Sequence, residues 1–378
     1  MLKILIQGEL GSFHHEAAVK LFGENIEVVP CASFAELYVK LAENSGAKSP
    51  KKSTQDSGDK TQKSRGNSPD SDDLIALSAI ENSLHGPINE VYARLENLAT
   101  TGQIQIFAET ELAIQQNLIA FKNATSGDIR EIYSHPVALN QCENYLAQHF
   151  PDAEKIEYED TAAAVRFIAE QNDPTKAAIA GAQAAELYRD RVKILARAIE
   201  DNQINFTRFV ALAPPEKVAH FREMLKIVPD LASVSGGETD ANRENNFAKN
   251  TNSVTLSGEP KPRTRSEGSE SKNLEGLTPE NLIKKSGDKQ NYKSGASHKT
   301  SIVLITSHKS GALAEALNLF AQMQINLLNL VSRPVIGEKW RYKFYIDFAA
   351  DAAKSGDIIA KLRENGHQVI FLGNYLVL

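Results

Sequence analysis

Cysteine is nearly absent: the 378-residue chain has two, Cys31 and Cys142. That excludes a disulfide framework and a cysteine metal cluster, and both are expected to be small buried apolar residues. Positive charge is not in excess, and the net charge of -6 argues against general nucleic-acid binding, which needs a basic face. No apolar run approaches the roughly 20 residues of a membrane helix, so no membrane partner is expected. The opening "MLKILIQGELGSF" turns polar too early for a signal segment and reads as a first β-strand. There is no Walker loop, no GxGxxG and no metal-ligand spacing, so neither a metal nor a cofactor is expected. With 42% hydrophobic and 24% charged residues, the composition is that of a soluble globular protein, expected in the cytoplasm.

Apolar residues are themselves missing from one long stretch. Residues 45–73, "SGAKSPKKSTQDSGDKTQKSRGNSPDSDD", contain no Val, Ile, Leu, Met or aromatic residue. Residues 233–300 are rich in Ser, Gly, Asn, Lys and Glu, with isolated Phe247, Leu256 and Leu282. Such segments cannot bury enough surface to offset their ordering entropy, so both are expected to be disordered insertions. Three blocks remain: 1–44, 74–232 and 301–378. The first two alternate strand candidates ("KILIQ", "IEVVP", "LIALSAI", "IQIFAE", "QNLIAF", "KIEYE", "KAAIAG", "VKILA", "FVALA") with helix candidates such as "SFAELYVKLAE", "PVALNQCENYLAQHF" and "DTAAAVRFIAEQ". That alternation predicts an α/β fold with mainly parallel strands. The last block reads strand, helix, strand, strand, helix, strand, the βαββαβ ferredoxin-like order.

Three polar segments interrupt this pattern where strands end. In "QGELGSFHHEAA", Gly8 and Gly11 would let the backbone approach a ligand, and Ser12 is a natural N-cap ahead of a helix whose free N–H groups favour an anion. In "SAIENSLHGPINEVYARL", Asn82 and Ser83 could present donors to a carboxylate. In "IEDNQINFTRFVAL", Thr207 offers a hydroxyl and Arg208 a forked cation suited to a carboxylate. Each has an ordinary reading: turn chemistry for the first two, a solvated strand face for the third. Together they would converge at the carboxyl edge of a sheet, where α/β folds bind ligands. Histidine ordinarily titrates in the useful range, yet a helix-face or capping role is the expected one for His14 and His15.

Taken together, "QGELGSFHHEAA", "AIENSLHGPI", "SHPVALNQC", "INFTRF", "SGALAEAL" and "LVSRP" make the chain resemble the prephenate dehydratase family with a C-terminal ACT regulatory domain. No chorismate mutase segment precedes the first strand, so the monofunctional form is expected. Glu9 stands where the family usually has Pro, His14 where it has Ser or Thr, Val137 where it has Gln and Val331 where it has Glu.

The resemblance implies a catalytic domain over 1–214, with an insertion at about 45–73, a mostly disordered linker over 215–300 and an ACT domain over 301–378. The catalytic domain would have two subdomains, like a type II periplasmic binding protein, one from 1–110 plus 186–213 and the other from about 111–185. Prephenate would lose CO2 and its ring hydroxyl in the cleft between them, without a cofactor. Thr207 would hydrogen-bond the departing hydroxyl, and Arg208 would clamp a carboxylate. Asn205, Ser12, Asn82, Ser83 and Phe209 would complete the substrate site. In the family, the turn at Gly311, Ala312 and Leu313 and the strand end at Ser332, Arg333 and Pro334 line an amino-acid site between ACT domains. A homodimer or homotetramer inhibited by L-phenylalanine is therefore expected. Arogenate dehydratase, the same chemistry on the aminated substrate, and a non-enzymatic amino-acid sensor are the alternatives.

Overall fold

The computed structural model describes residues 1–45, 73–227, 297–307 and 309–378. The two low-complexity stretches, apart from their ends, lie outside the described residues.

The first lobe is built on β1 (Leu2–Gln7), β2 (Ile26–Cys31), β3 (Leu74–Asn82), β5 (Gln105–Ala113) and β11 (Phe206–Ala213), with the short β4 (Gly86–Pro87) hooked onto β3. β1 pairs in parallel with β2 and β3, while β11 enters antiparallel between β3 and β5. The alternating run Phe209–Ala213 shares itself between two cores. Phe209, Ala211 and Ala213 pack with α1 (Phe13–Phe22) and α8 (Val218–Ile227). Val210 and Leu212 face α2 (Phe34–Asn44) and α3 (Asn89–Thr100). α8 lies in the segment that the resemblance assigned to the linker, though within the block that composition left ordered, and its Val218, Phe221 and Leu225 are buried.

The second lobe is a five-stranded sheet of β6 (Asn117–Phe121), β7 (Glu131–Ser134), β8 (Glu154–Glu157), β9 (Lys176–Ala180) and β10 (Val192–Ala196), in the order β10-β6-β9-β7-β8. Its helices are α4 (Pro136–Gln141), α5 (Glu143–His149), α6 (Thr161–Gln171) and α7 (Ala182–Leu187). Because β10 pairs with β6, the second lobe runs past residue 185, the limit expected from the resemblance. Nor are the strands mainly parallel: β6 is antiparallel to both neighbours, as β11 is in the first lobe. The helix expected over "PVALNQCENYLAQHF" breaks at Cys142 (φ -115°, ψ 16°).

The C-terminal block follows the expected βαββαβ order: β12 (Ser297–Ile305), α9 (Ala312–Gln322), β13 (Leu327–Pro334), β14 (Tyr342–Ala349), α10 (Ala352–Glu364) and β15 (Gln368–Val377). β12 starts before residue 301, so 297–300 belong to a strand rather than to the linker. The sheet, ordered β13-β14-β12-β15, continues through β15 onto β5, giving one ten-stranded sheet. A Cβ on Gly373 would stand 2.3 Å from the Ile106 carbonyl oxygen, so only glycine permits this approach. Val303, Tyr345, Leu372 and Tyr375 share a core with Tyr92, Leu95 and Ile106 of the first lobe.

Candidate active site

A cavity of about 340 Å³ opens between the two lobes. The first lobe gives it Ser12, Phe13, His14, Phe34, Asn82, His85, Thr207 and Phe209; the second gives Gln116, His135, Val137, Gln141, Asp160 and Thr161.

Asn82, at the end of β3, organises the first-lobe wall. Its Oδ1 accepts from the N–H groups of Leu84 and His85 at 3.0 and 3.1 Å, which fixes which side of the amide carries the NH2. Nδ2 then donates to Asn205 Oδ1 at 2.7 Å, the Phe206 carbonyl at 3.1 Å and Thr207 Oγ1 at 2.9 Å. Since Thr207 Oγ accepts here, its own proton remains to be donated. Asn205 is buried and its Nδ2 has no partner. Ser83 does not line the cavity; its Oγ accepts from the Phe206 N–H at 2.9 Å and steadies the start of β11.

Ser12 occupies the N-cap position of α1, but its hydroxyl makes no capping bond and is buried without a partner at the cavity wall. The α1 N-terminus thus keeps free donors toward the cleft. Gly11 (φ +89°) serves a different end from the one expected: a Cβ there would lie 2.8 Å from Ala184 Cα, so the glycine admits the second lobe rather than a ligand. Glu9 pairs with Arg166 of α6 at 2.8 Å, a second tie between the lobes.

His14 is buried and accepts from the Ala79 N–H at 3.1 Å through Nε2. Burial pushes its pKa down to about 4, so it is neutral, with its proton on Nδ1. His15 lies outside the cavity and accepts from the Gly11 N–H at 2.9 Å. From the second lobe, Gln141 Nε2 meets His85 Nε2 at 3.1 Å, and Gln116 Nε2 donates to Gln141 Oε1 at 3.3 Å. Gln116 Oε1 is left without a partner. Sequence reasoning assigned Gln116, Gln141, His85, His135 and Asp160 no role, although "SHPVALNQC" contained His135 and Gln141.

Arg208 is not in this cleft, and the expected carboxylate clamp is corrected here. Successive strand residues point to opposite faces, so Thr207 and Arg208 cannot share one site. Arg208 turns to the α3 side, where it bonds Glu81, Glu109 and Asp347.

A second cavity, of about 430 Å³, lies in the C-terminal block against Gly311, Ala312 and Leu313, with Thr306, Ser307, Lys309, Arg341, Tyr342 and Phe344. Ser332, Arg333 and Pro334 do not line it, but they pair across the ladder with Phe344, Lys343 and Tyr342. Ser307 Oγ and Arg341 Nε are buried without partners.

The fold and cleft define a two-lobed α/β protein with a ferredoxin-like C-terminal sheet. Residues 70–217 match the model of the prephenate dehydratase family. The chain is 32% identical over 215 residues to the bifunctional chorismate mutase/prephenate dehydratase of Neisseria gonorrhoeae, covering 57% of this chain and 50% of that protein. It is 39% identical over 144 residues to the prephenate dehydratase of Lactococcus lactis, covering 38% of this chain and 49% of that one. The matched stretch thus spans about half the length of each of these relatives. In fold the chain is similar to the prephenate dehydratase of Arthrobacter aurescens in complex with L-Phe, with a TM-score of 0.61 at 21% identity, over 99% of this chain and 89% of that one.

Proposed function

We propose that the chain converts prephenate to phenylpyruvate, CO2 and water. The observation that carries this reading is the Thr207 hydroxyl, held from behind by Asn82 with its proton free for the cleft. In the reaction the bond from the ring to its carboxylate breaks, and the electron pair moves into the ring and expels the hydroxyl. Aromatisation drives the step. The departing oxygen takes up one proton and leaves as water. Thr207 is too weak an acid to supply that proton outright, so it stabilises the leaving oxygen or relays a proton to it. Ser12 Oγ and the open N-terminus of α1 suit a carboxylate. Asn205 Nδ2 is a further unspent donor beside Thr207. Phe209 lines the apolar part of the cavity, where the ring would pack.

The C-terminal block we infer to be an ACT module that binds L-phenylalanine at the turn formed by Gly311, Ala312 and Leu313. The unpartnered Ser307 Oγ and the uncapped start of α9 support a site for an amino acid there. Leu328 and Leu330 are exposed on β13, at the edge of the sheet, which supports a homodimer or homotetramer. Both cysteines are free and buried, which fits a reducing compartment such as the cytoplasm. The test is to incubate the purified chain with prephenate, and separately with arogenate, and to read phenylpyruvate by its absorbance in alkali and phenylalanine by chromatography. Phenylpyruvate from prephenate is expected. Phenylalanine from arogenate alone would make the aminated substrate the true one, and no product from either would leave a binding protein.

A further inference from the structure

Thr207 and Arg208 are adjacent, so one stretch of backbone carries the hydroxyl into the cleft and the guanidinium to the opposite face of the sheet. There Arg208 Nη1 donates to Glu81 Oε2 at 2.5 Å. Its Nε and Nη2 grip the two oxygens of Glu109 at 3.2 and 2.8 Å, and Nη2 also reaches Asp347 Oδ2 at 2.8 Å. Glu81 and Glu109 lie on β3 and β5, the strands on either side of β11; Asp347 lies on β14 of the C-terminal block. More C-terminal groups complete the cluster: Lys299 Nζ meets Glu109 Oε1 at 2.5 Å, Ser301 Oγ donates to Asp347 Oδ1 at 2.5 Å, and Tyr375 OH donates to Glu109 Oε2 at 3.2 Å. The register between β11 and β3 shifts between Arg208 and Phe209, one residue past Thr207. At such a bulge the ladder alone does not fix where a side chain aims, and other contacts must.

We propose that Arg208 is a positioning residue: its fork sets where the Thr207 hydroxyl stands, and because Asp347 holds one branch, that placement depends on the C-terminal sheet. This rests on the reading of the cleft as the prephenate site. A planar, multiply anchored guanidinium tolerates little sliding, and a displacement of about 1 Å at a reacting group can cost on the order of a hundredfold in rate.

The experiment is steady-state kinetics of the full chain on prephenate for wild type, Arg208→Lys, Asp347→Asn, Asp347→Glu and Tyr375→Phe, with melting temperatures alongside. Asp347→Asn is expected to lower kcat about 10- to 100-fold with KM within about twofold, and Asp347→Glu to recover most of the loss. Tyr375→Phe removes the hydroxyl's contacts with the Glu109 carboxylate and with Ser301 but keeps every charge, so it should show the same split on a smaller scale and carry the test if Asp347→Asn does not fold. A wild type that makes no phenylpyruvate would overturn the cleft reading and this proposal with it. An active wild type with unchanged kcat in Asp347→Asn, or in Tyr375→Phe where Asp347→Asn does not fold, would overturn the proposal alone, as would Arg208→Lys raising KM without touching kcat.

Discussion

Asn82 spends its whole side-chain amide on order: the oxygen on two turn N–H groups, the nitrogen on Asn205, Phe206 and Thr207. A carboxylate at the same place could not donate. It would accept the Thr207 proton and turn that hydroxyl away from substrate. Asn82→Asp is therefore expected to lower kcat by roughly 10²–10³, the cost of losing one preorganised donor, with the fold retained; stopped assays on prephenate check it, and a kcat within threefold of wild type would contradict it. His14 makes a prediction about pH. Its folded pKa, about 4, lies below the ordinary 6.5 because burial disfavours the charged form. The unfolded chain then takes up the proton first, so stability is full above pH 6.5 and falls as pH drops toward 4, by a few kcal/mol at most. His14→Gln keeps an acceptor for the Ala79 N–H and does not titrate. Its melting temperature is expected to depend less on pH than that of wild type between pH 6.5 and 4, and parallel curves would contradict the assignment.

Most elements were readable from hydrophobic periodicity, and those that were not have local causes. β7 is only four residues, Glu131–Ser134, with polar ends, too short to show a period. Cys142 breaks a continuous apolar pattern because α4 and α5 meet there at a bend that no proline or glycine announces. Ser297–Thr300 read as linker, yet Lys299 pairs with Glu109, a contact between residues far apart in sequence. The cleft was legible through Asn82 and Thr207 because each sits at a strand end, and through Ser12 because it stands at the N-cap of the helix that follows β1. Arg208 was misplaced for want of one step that the sequence did allow: in a strand its side chain must oppose that of Thr207. At Gly373 the contact with β5 is set by main-chain approach alone. Gly373→Ala is expected to cost about 1–3 kcal/mol by overpacking, read as a lower denaturation midpoint, and an unchanged midpoint would mean that β15 does not sit against Ile106.

Across the described residues, one sheet runs from the edge strand β13 to β2, so the C-terminal block is bound to the first lobe by backbone as well as by side chains. Leu378 N–H donates to the Glu109 carbonyl at 2.9 Å, and Thr110 Oγ1 donates to the Leu378 carbonyl at 2.8 Å. Burial pushes the Glu109 carboxyl up, but Arg208 and Lys299 outweigh it and hold the group below the usual carboxylate range. A chain cut before β12 would leave that buried charge short of a partner, so regulation has to be tested on the full chain. L-Phenylalanine is expected to inhibit it with a coupling of about 1–3 kcal/mol between the sites, read from initial rates at several prephenate concentrations. Insensitivity would mean that the module serves assembly only. The central claim is that the Thr207 hydroxyl acts on the leaving oxygen in the inter-lobe cleft, and comparing kcat and KM of wild type and Thr207→Ala on prephenate tests it most directly. A kcat lower by roughly 10²–10⁴ with KM little changed is predicted; a folded variant that turns over prephenate at the wild-type rate would contradict it.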